Sequence, residues 1–382
     1  MSMASATERG GQSAPAGRVG SWLSKIFELN PPGLNWARGV MFLDVALVPL
    51  VIFWAIGHEQ YLLSAVVAAL FSGVADVGGT YLSRASRLAV FALVGAAVTA
   101  LAFGLGSSAW GWLVVAAFGV TLVAGLALRF GVHSFVSALL LNIWFLVALS
   151  LAISLHQHPH ITDYTWAQVV AWVGGSALWI VLTFIEWLIR GREDRPPPFP
   201  ELPGATSPQK LTSPQIMFAV IRAIAIAGCV ALAFGLNLPH GLWIPIAAIV
   251  AMKPSLDQAT LASTQRVAGA LIGAAAAVLL LLIPANEHGL RLFTIERAFE
   301  VVAIVLLMHA AAVRFWNYAF YYAAITAGVL ILLDLWQPSD YAAEGYRVLW
   351  ALCGVAIGVG VMFLAGLLAK RRVKAAAPAP AR

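Results

Sequence analysis

Apolar residues run through this chain in stretches too long, and with too few polar interruptions, to be one face of a soluble helix. A helix needs roughly 20 apolar residues to span the hydrocarbon of a bilayer. Measured by that length, the sequence predicts spans over 36–57, 61–75, 86–106, 109–128, 132–154, 167–189, 215–236, 241–252, 265–284, 298–313, 318–336 and 347–369. The second and eighth are short, which predicts tilted or broken helices. Trp243 and Pro245 open the eighth, and a proline there frees backbone groups that are tolerated only where protein or a water-filled cavity covers them. The expected fold class is all-α, a polytopic membrane protein of about 12 transmembrane helices.

One polar interruption is different in kind. Residues 190–214 carry charges and then Pro196, Pro197, Pro198, Pro200 and Pro203, the composition of a solvated linker. The expected organisation is therefore an N-terminal cytoplasmic tail over 1–35, a first six-span half over 36–189, the linker, a second six-span half over 215–369, and a basic C-terminal tail over 370–382. The halves echo one another. Ala55-Ile56-Gly57 closes the first span and Ala233-Phe234-Gly235 the seventh, each followed by a short polar turn and a short apolar span. Arg266 precedes Gly273 by seven residues and Arg347 precedes Gly354 by the same seven, with Gln168 and Gly175 repeating the spacing. These polar heads open spans at three-span intervals. An odd repeat must invert in the membrane, which predicts three-span inverted repeats of the kind transporters use for alternating access.

Composition agrees with the pattern: 61% of the 382 residues are hydrophobic and 10% are charged, far below the quarter usual in soluble domains. The net charge of +6 invites a nucleic-acid reading, and the placement of the charges excludes it. With the N-terminus inside, 19 of the 23 lysines and arginines fall on the cytoplasmic side; Arg291, Arg297 and Arg347 fall outside and Arg222 lies within a span. That asymmetry is the positive-inside rule. It predicts a multi-pass protein of the bacterial inner membrane with both termini cytoplasmic, whose partners are the lipid bilayer and a small solute, with no nucleic acid. The basic tail suits the anionic inner leaflet. No secretory signal pattern stands in 1–35. Cys229 and Cys353 lie inside apolar runs without metal-site spacing.

The candidate chemistry lies where lipid makes polar groups costly. Arg222 is seven residues into its span, roughly 10 Å deep at 1.5 Å per residue. Asp44 stands thirteen residues before Gly57 as Arg222 stands thirteen before Gly235, so the echo sets an acid against a base. Asn142 is near the middle of the fifth span, and His309 lies inside the tenth. Arg266 and Gly273 share a helix face. For Arg266 and Arg347, snorkelling to the interface and binding of a carboxylate both fit; for the paired glycines, close helix packing is the plain account. The aromatic run Phe315, Trp316, Tyr318, Phe320, Tyr321 and Tyr322 fits either an interfacial belt or a stacking surface. His156, His158, His160 and Asp163 have ligand-type side chains, but a solvated loop is the expected reading; no metal, no cofactor and no enzyme motif are predicted.

The stretch His240-Gly241-Leu242-Trp243-Ile244-Pro245, then Lys253-Pro254, then Arg266-Val267-Ala268-Gly269 with Gly273, resembles the fusaric acid resistance-like (FUSC) family of membrane transporters. Two departures stand out: the chain has only the short linker where larger members carry a cytoplasmic domain, and Ala270 stands where the family often has threonine. The resemblance implies efflux of aromatic carboxylic acids, coupled to protons. The functional expectation is a transporter exporting small organic anions, with Arg222, Arg266, Arg347, Asn142 and Trp243 as substrate-binding residues and Asp44 and His309 as proton-coupling residues. A passive anion channel and a membrane scaffold that moves no solute are the alternatives. The sequence is compatible with a homo-oligomer.

Overall fold

The computed structural model describes residues 24, 27–156, 163–192, 210–252, 256–281, 290–334 and 341–376. Among them the elements are helical. Twelve α-helices follow in chain order: α1 (Trp36–Ile56), α2 (Leu62–Ala75), α3 (Tyr81–Gly104), α4 (Trp110–Leu126), α5 (Val132–His156), α6 (Thr165–Ile189), α7 (Ser213–Gly235), α8 (Trp243–Ala251), α9 (Leu256–Leu281), α10 (Leu290–Val313), α11 (Tyr318–Asp334) and α12 (Tyr341–Ala376). Each stands where an apolar run predicts one. Seven segments among the described residues are long and apolar enough to cross a membrane, and Glu59–Ala75 and Tyr318–Leu332 are shorter apolar helices. The chain is a multi-pass membrane protein.

The two short helices have the most enclosed positions. Every residue of α2 from Leu62 to Val74 is buried, and so is every residue of α8 from Ile244 to Ala251. A helix apolar all round is one surrounded by other helices or by lipid; here the surround is protein. Nine residues of α8 make about 13 Å, less than half of the ~30 Å hydrocarbon thickness. Its ends must therefore lie within the body of the protein, and backbone groups freed there need partners. The helices around them are two-faced. On α1, Phe42, Ala46 and Leu50 are fully enclosed, whereas Val40, Val51 and Ile52 are exposed. An apolar exposed face is what a lipid solvent requires.

The two halves are interlocked. Helix α4 packs along α7, α1 along α10, and α5 touches α8. Residues 27–35, predicted as part of a tail, are docked on the turn between α10 and α11: Asn30 N–H donates to the Trp316 carbonyl at 2.8 Å and Asn35 N–H to the Ala312 carbonyl at 2.9 Å. The linker is described only at its ends, where Arg190 pairs with Glu186 at 3.0 Å and Thr212 N–H donates to the Gln215 side chain at 3.0 Å to open α7. Its proline-rich part, 193–209, lies outside the described residues.

The glycines of the repeated heads pack helices. A Cβ on Gly354 would lie 2.2 Å from the Ile244 carbonyl oxygen of α8, and one on Gly273 would lie 2.4 Å from that of Ala323 in α11. Both neighbours are backbone and have nowhere to go. Gly354→Val is expected to push α12 off α8 and lower the thermal midpoint of the purified protein by several degrees, the effect of about 1–3 kcal/mol of overpacking. Gly360→Ala, with open space around it, is the control that leaves the midpoint unchanged.

Candidate functional site

The enclosed helices α2 and α8 end in the same way. At Asp76 the chain leaves α2 with φ −75° and ψ 99° and its N–H bonds the Ser72 carbonyl; at Met252 it leaves α8 with φ −79° and ψ 93° and its N–H bonds the Ala248 carbonyl. In both, an arginine from the preceding helix donates to the carbonyl two residues before the helix end. Arg38 Nη2 of α1 bonds the Gly73 carbonyl and, at 2.8 Å, that of Asp76. Arg222 Nη2 of α7 bonds the Ile249 carbonyl at 3.1 Å. A helix C-terminus has unpaired carbonyls and a partial negative charge. A guanidinium is the side chain best able to meet both in an apolar surround.

The two ends differ in how their donors are met. At the end of α2, Arg84 of α3 grips Asp76 with two bonds, Nε to Oδ1 at 2.9 Å and Nη2 to Oδ2 at 2.6 Å, both side chains buried. Arg314, in the turn after α10, adds a bond from Nη1 to the Val74 carbonyl at 3.1 Å. At α8 the position of Asp76 is held by Met252, which is apolar and buried. Arg266 of α9 reaches one turn deeper than Arg222 and donates from Nη2 to the Ile246 carbonyl at 3.1 Å. Its guanidinium lies over the Tyr322 ring at 4.3 Å, and that of Arg222 over the Phe135 ring at 5.4 Å. Neither arginine has a carboxylate partner among the described residues. Nε and Nη1 of Arg222 and Nη1 of Arg266 are buried without a hydrogen-bond partner there. An unmet donor on a buried charged group costs more than the ~1–3 kcal/mol of a neutral one.

Of the predicted binding residues, the structure brings Arg222 of α7 and Arg266 of α9 to carbonyls of the same helix, α8. Asn142 is fully buried in α5, two turns from Phe135; Thr121 Oγ1 donates to its Oδ1 at 3.4 Å, and its Nδ2 is unpartnered. Trp243 lies at the opposite end of α8, six residues and about 9 Å from Ile249, half-buried against the apolar core. Arg347 lies in α12, and its side chain is outside the described residues. Asp44 is on the exposed face of α1, with no hydrogen bond or ion pair among the described residues. His309 Nδ1–H donates to the Val305 carbonyl at 2.7 Å, and its ring meets Trp36 edge-on at 5.3 Å. The sequence echo sets Asp44 opposite Arg222; by its bonds to the helix end, the counterpart of Arg222 is Arg38.

The aromatic run divides. Trp316 stacks on Phe320, while Tyr318, Tyr321 and Tyr322 cluster beside Arg266 and Arg314. In the histidine loop, Gln168 Nε2 donates to Asp163 Oδ1 at 2.9 Å, and burial raises the Asp163 carboxyl above its ordinary value. His158 and His160 lie outside the described residues. No group of three metal-type side chains occurs among the described residues. Sequence reasoning missed Arg38, Asp76 and Arg84, which count there as loop and interfacial charges. The available signal was an aspartate within reach of two arginines at the end of a short apolar span.

Breaking the closed end has a large expected effect. Asp76→Ala leaves Arg84 charged, buried and unpaired, at a cost of about 3–5 kcal/mol. The measurement is thermal unfolding of the solubilised chain, and an unchanged midpoint refutes the buried pair.

Comparison with known proteins adds one match. Residues 224–361 fit the sequence model of a family described as fusaric acid resistance protein-like. The matched stretch contains α8, Met252, Arg266 and α10, and it bears out the resemblance drawn from residues 240–273. No curated protein and no solved structure matches the chain.

Proposed function

From a second half of the fusaric acid resistance protein-like family, we propose that this chain is a transporter that exports small organic anions, aromatic carboxylic acids among them, across the bacterial inner membrane. The observation that carries the proposal is the pair of buried arginines without a carboxylate at the end of α8. Arg222 and Arg266 retain unmet N–H donors in an enclosed site, while the corresponding end of α2 is closed by its own carboxylate. A carboxylate arriving between the two guanidiniums takes up those donors, in the paired geometry that Arg84 and Asp76 adopt. Tyr322 and Phe135, packed against the guanidinium planes, make the surround of the pair aromatic. On the orientation set by the positive-inside rule, the C-terminal end of α8 faces the cytoplasm, where an exporter loads.

Proton coupling is part of the proposal. Export of an anion moves negative charge outward, and an exchanged proton supplies a chemical gradient to draw on. The positions of Asp44, exposed on α1, and His309, bonded within its own helix, give neither a path to the arginine pair among the described residues.

The test is transport by the reconstituted full-length chain. Arg222→Gln replaces the guanidinium with a shorter, neutral amide; loss of two charge-assisted bonds, each about 1.5–3 kcal/mol, predicts at least a ~100-fold fall in benzoate efflux at unchanged membrane insertion. Arg222→Lys restores the charge without the paired geometry and is expected to fall between the two. Efflux by Arg222→Gln equal to that of the parent overturns the site. Large currents down an anion gradient identify a channel instead of a coupled exporter.

A further inference from the structure

The two halves are joined at their other end by charges that the anion site does not use. Glu59 lies on the 3-10 turn before α2 and Trp54 in the last turns of α1. Arg297 and Glu300 face them from α10. Arg297 Nη2 pairs with Glu59 Oε1, and its Nη1 lies 3.5 Å from Glu300 Oε2. Its guanidinium lies over the Trp54 ring at 5.1 Å, and Trp54 Nε1–H donates to Glu300 Oε2. The bonds to Glu59 and from Trp54 both cross from the first half to the second. Glu300 is buried, and beneath it a cavity of about 20 Å³, room for a water, is bounded by Glu59, Gln60, Leu63 and Leu151 among others.

The balance of charge here is the reverse of that at α8. Among the described residues, the charged groups facing Glu300 and Glu59 are Glu296 and Arg297, so three carboxylates share one guanidinium. A proton on Glu59 or Glu300 neutralises one of the two carboxylates that hold Arg297.

We propose that Arg297, held between Glu59 and Glu300, is an outer latch between the two halves, and that a proton taken up by this carboxylate pair releases it. The inference rests on the transport reading, in which the path must close at one end while it opens at the other. Because the latch lies on the side assigned to the outside, its release by an external proton fits the unloading of an exported anion. Neither Asp44 nor His309 is needed for that step.

The experiment reads closure without any substrate. Leu63→Cys is placed in the full-length chain, with Cys229 and Cys353 changed to Ala, and a membrane-impermeant maleimide is applied from outside to intact cells. With the latch closed, labelling is slow. Glu59→Gln with Glu300→Gln, which imitates the protonated pair, is expected to label roughly tenfold faster or more, the equivalent of losing one hydrogen bond to a charged group. The charge exchange Glu59→Arg with Arg297→Glu keeps one guanidinium between two carboxylates and is expected to restore slow labelling. A misfolded chain does not give that recovery. Parental labelling in the glutamine pair, or fast labelling in the exchanged pair, overturns the latch. Benzoate efflux by the parent should also quicken as external pH is lowered from about 7.5 to about 5.5, with the glutamine pair indifferent to the change; equal pH dependence in both removes the proton from the proposal. If labelling behaves as expected but no efflux occurs in any variant, the latch stands and the transport reading fails.

Discussion

A guanidinium enclosed in an apolar interior keeps its charge, because its intrinsic affinity for the proton is too high for burial to remove. It must be met by carbonyls, carboxylates or ligand. This requirement organises the interior of the protein. Two helices too short to reach across the hydrocarbon end inside it, and their unpaired carbonyls need donors there as much as the arginines need acceptors. Arg38 at α2 meets two carbonyls, and Arg222 at α8 meets one while two of its donor nitrogens stay unmet. Short enclosed helices and buried arginines thus account for each other, and neither is stable in lipid alone.

The two ends then diverge by one position. Asp76 takes up two donors of Arg84 and so ties α1, α2 and α3 together. Met252 offers no carboxylate at the end of α8. The same backbone geometry therefore has its arginine donors spent internally in one half and left unmet in the other. The distribution of carboxylates continues this theme: the excess of Glu59, Glu296 and Glu300 over Arg297 lies at the opposite end of the molecule from the excess of arginines.

Much of this was legible in the sequence. The apolar runs located the helices, the two short runs marked those that end inside the protein, and Arg222 and Arg266 declared themselves by their depth and spacing. The match at 224–361 agrees with the motif read from residues 240–273. The echo between halves was visible too, but its register was not. Counting back from Gly57 and Gly235 pairs Asp44 with Arg222, whereas the bonds to the helix ends pair Arg38 with it. Counting along one helix fixes height, whereas a pairing between residues depends on how far each helix slides and turns against its neighbour. The number of crossings and the inversion of the repeats belong to the same category, since they concern placement in a bilayer.

What the sequence determined by itself was the solvent. Long uncharged runs flanked by asymmetrically placed lysines and arginines can be stable only with lipid outside and helical hydrogen bonding within, whatever the packing. Tertiary structure decided which polar groups meet. It turned Asp44 outward and Asn142 inward, closed Asp76 onto Arg84, brought Arg222 and Arg266 to carbonyls on successive turns of α8, and carried Glu59 to Arg297 across 238 positions of chain. Hydropathy is additive along a chain and can be read locally. Charge pairing depends on distances between segments remote in sequence, which only the folded arrangement of helices sets.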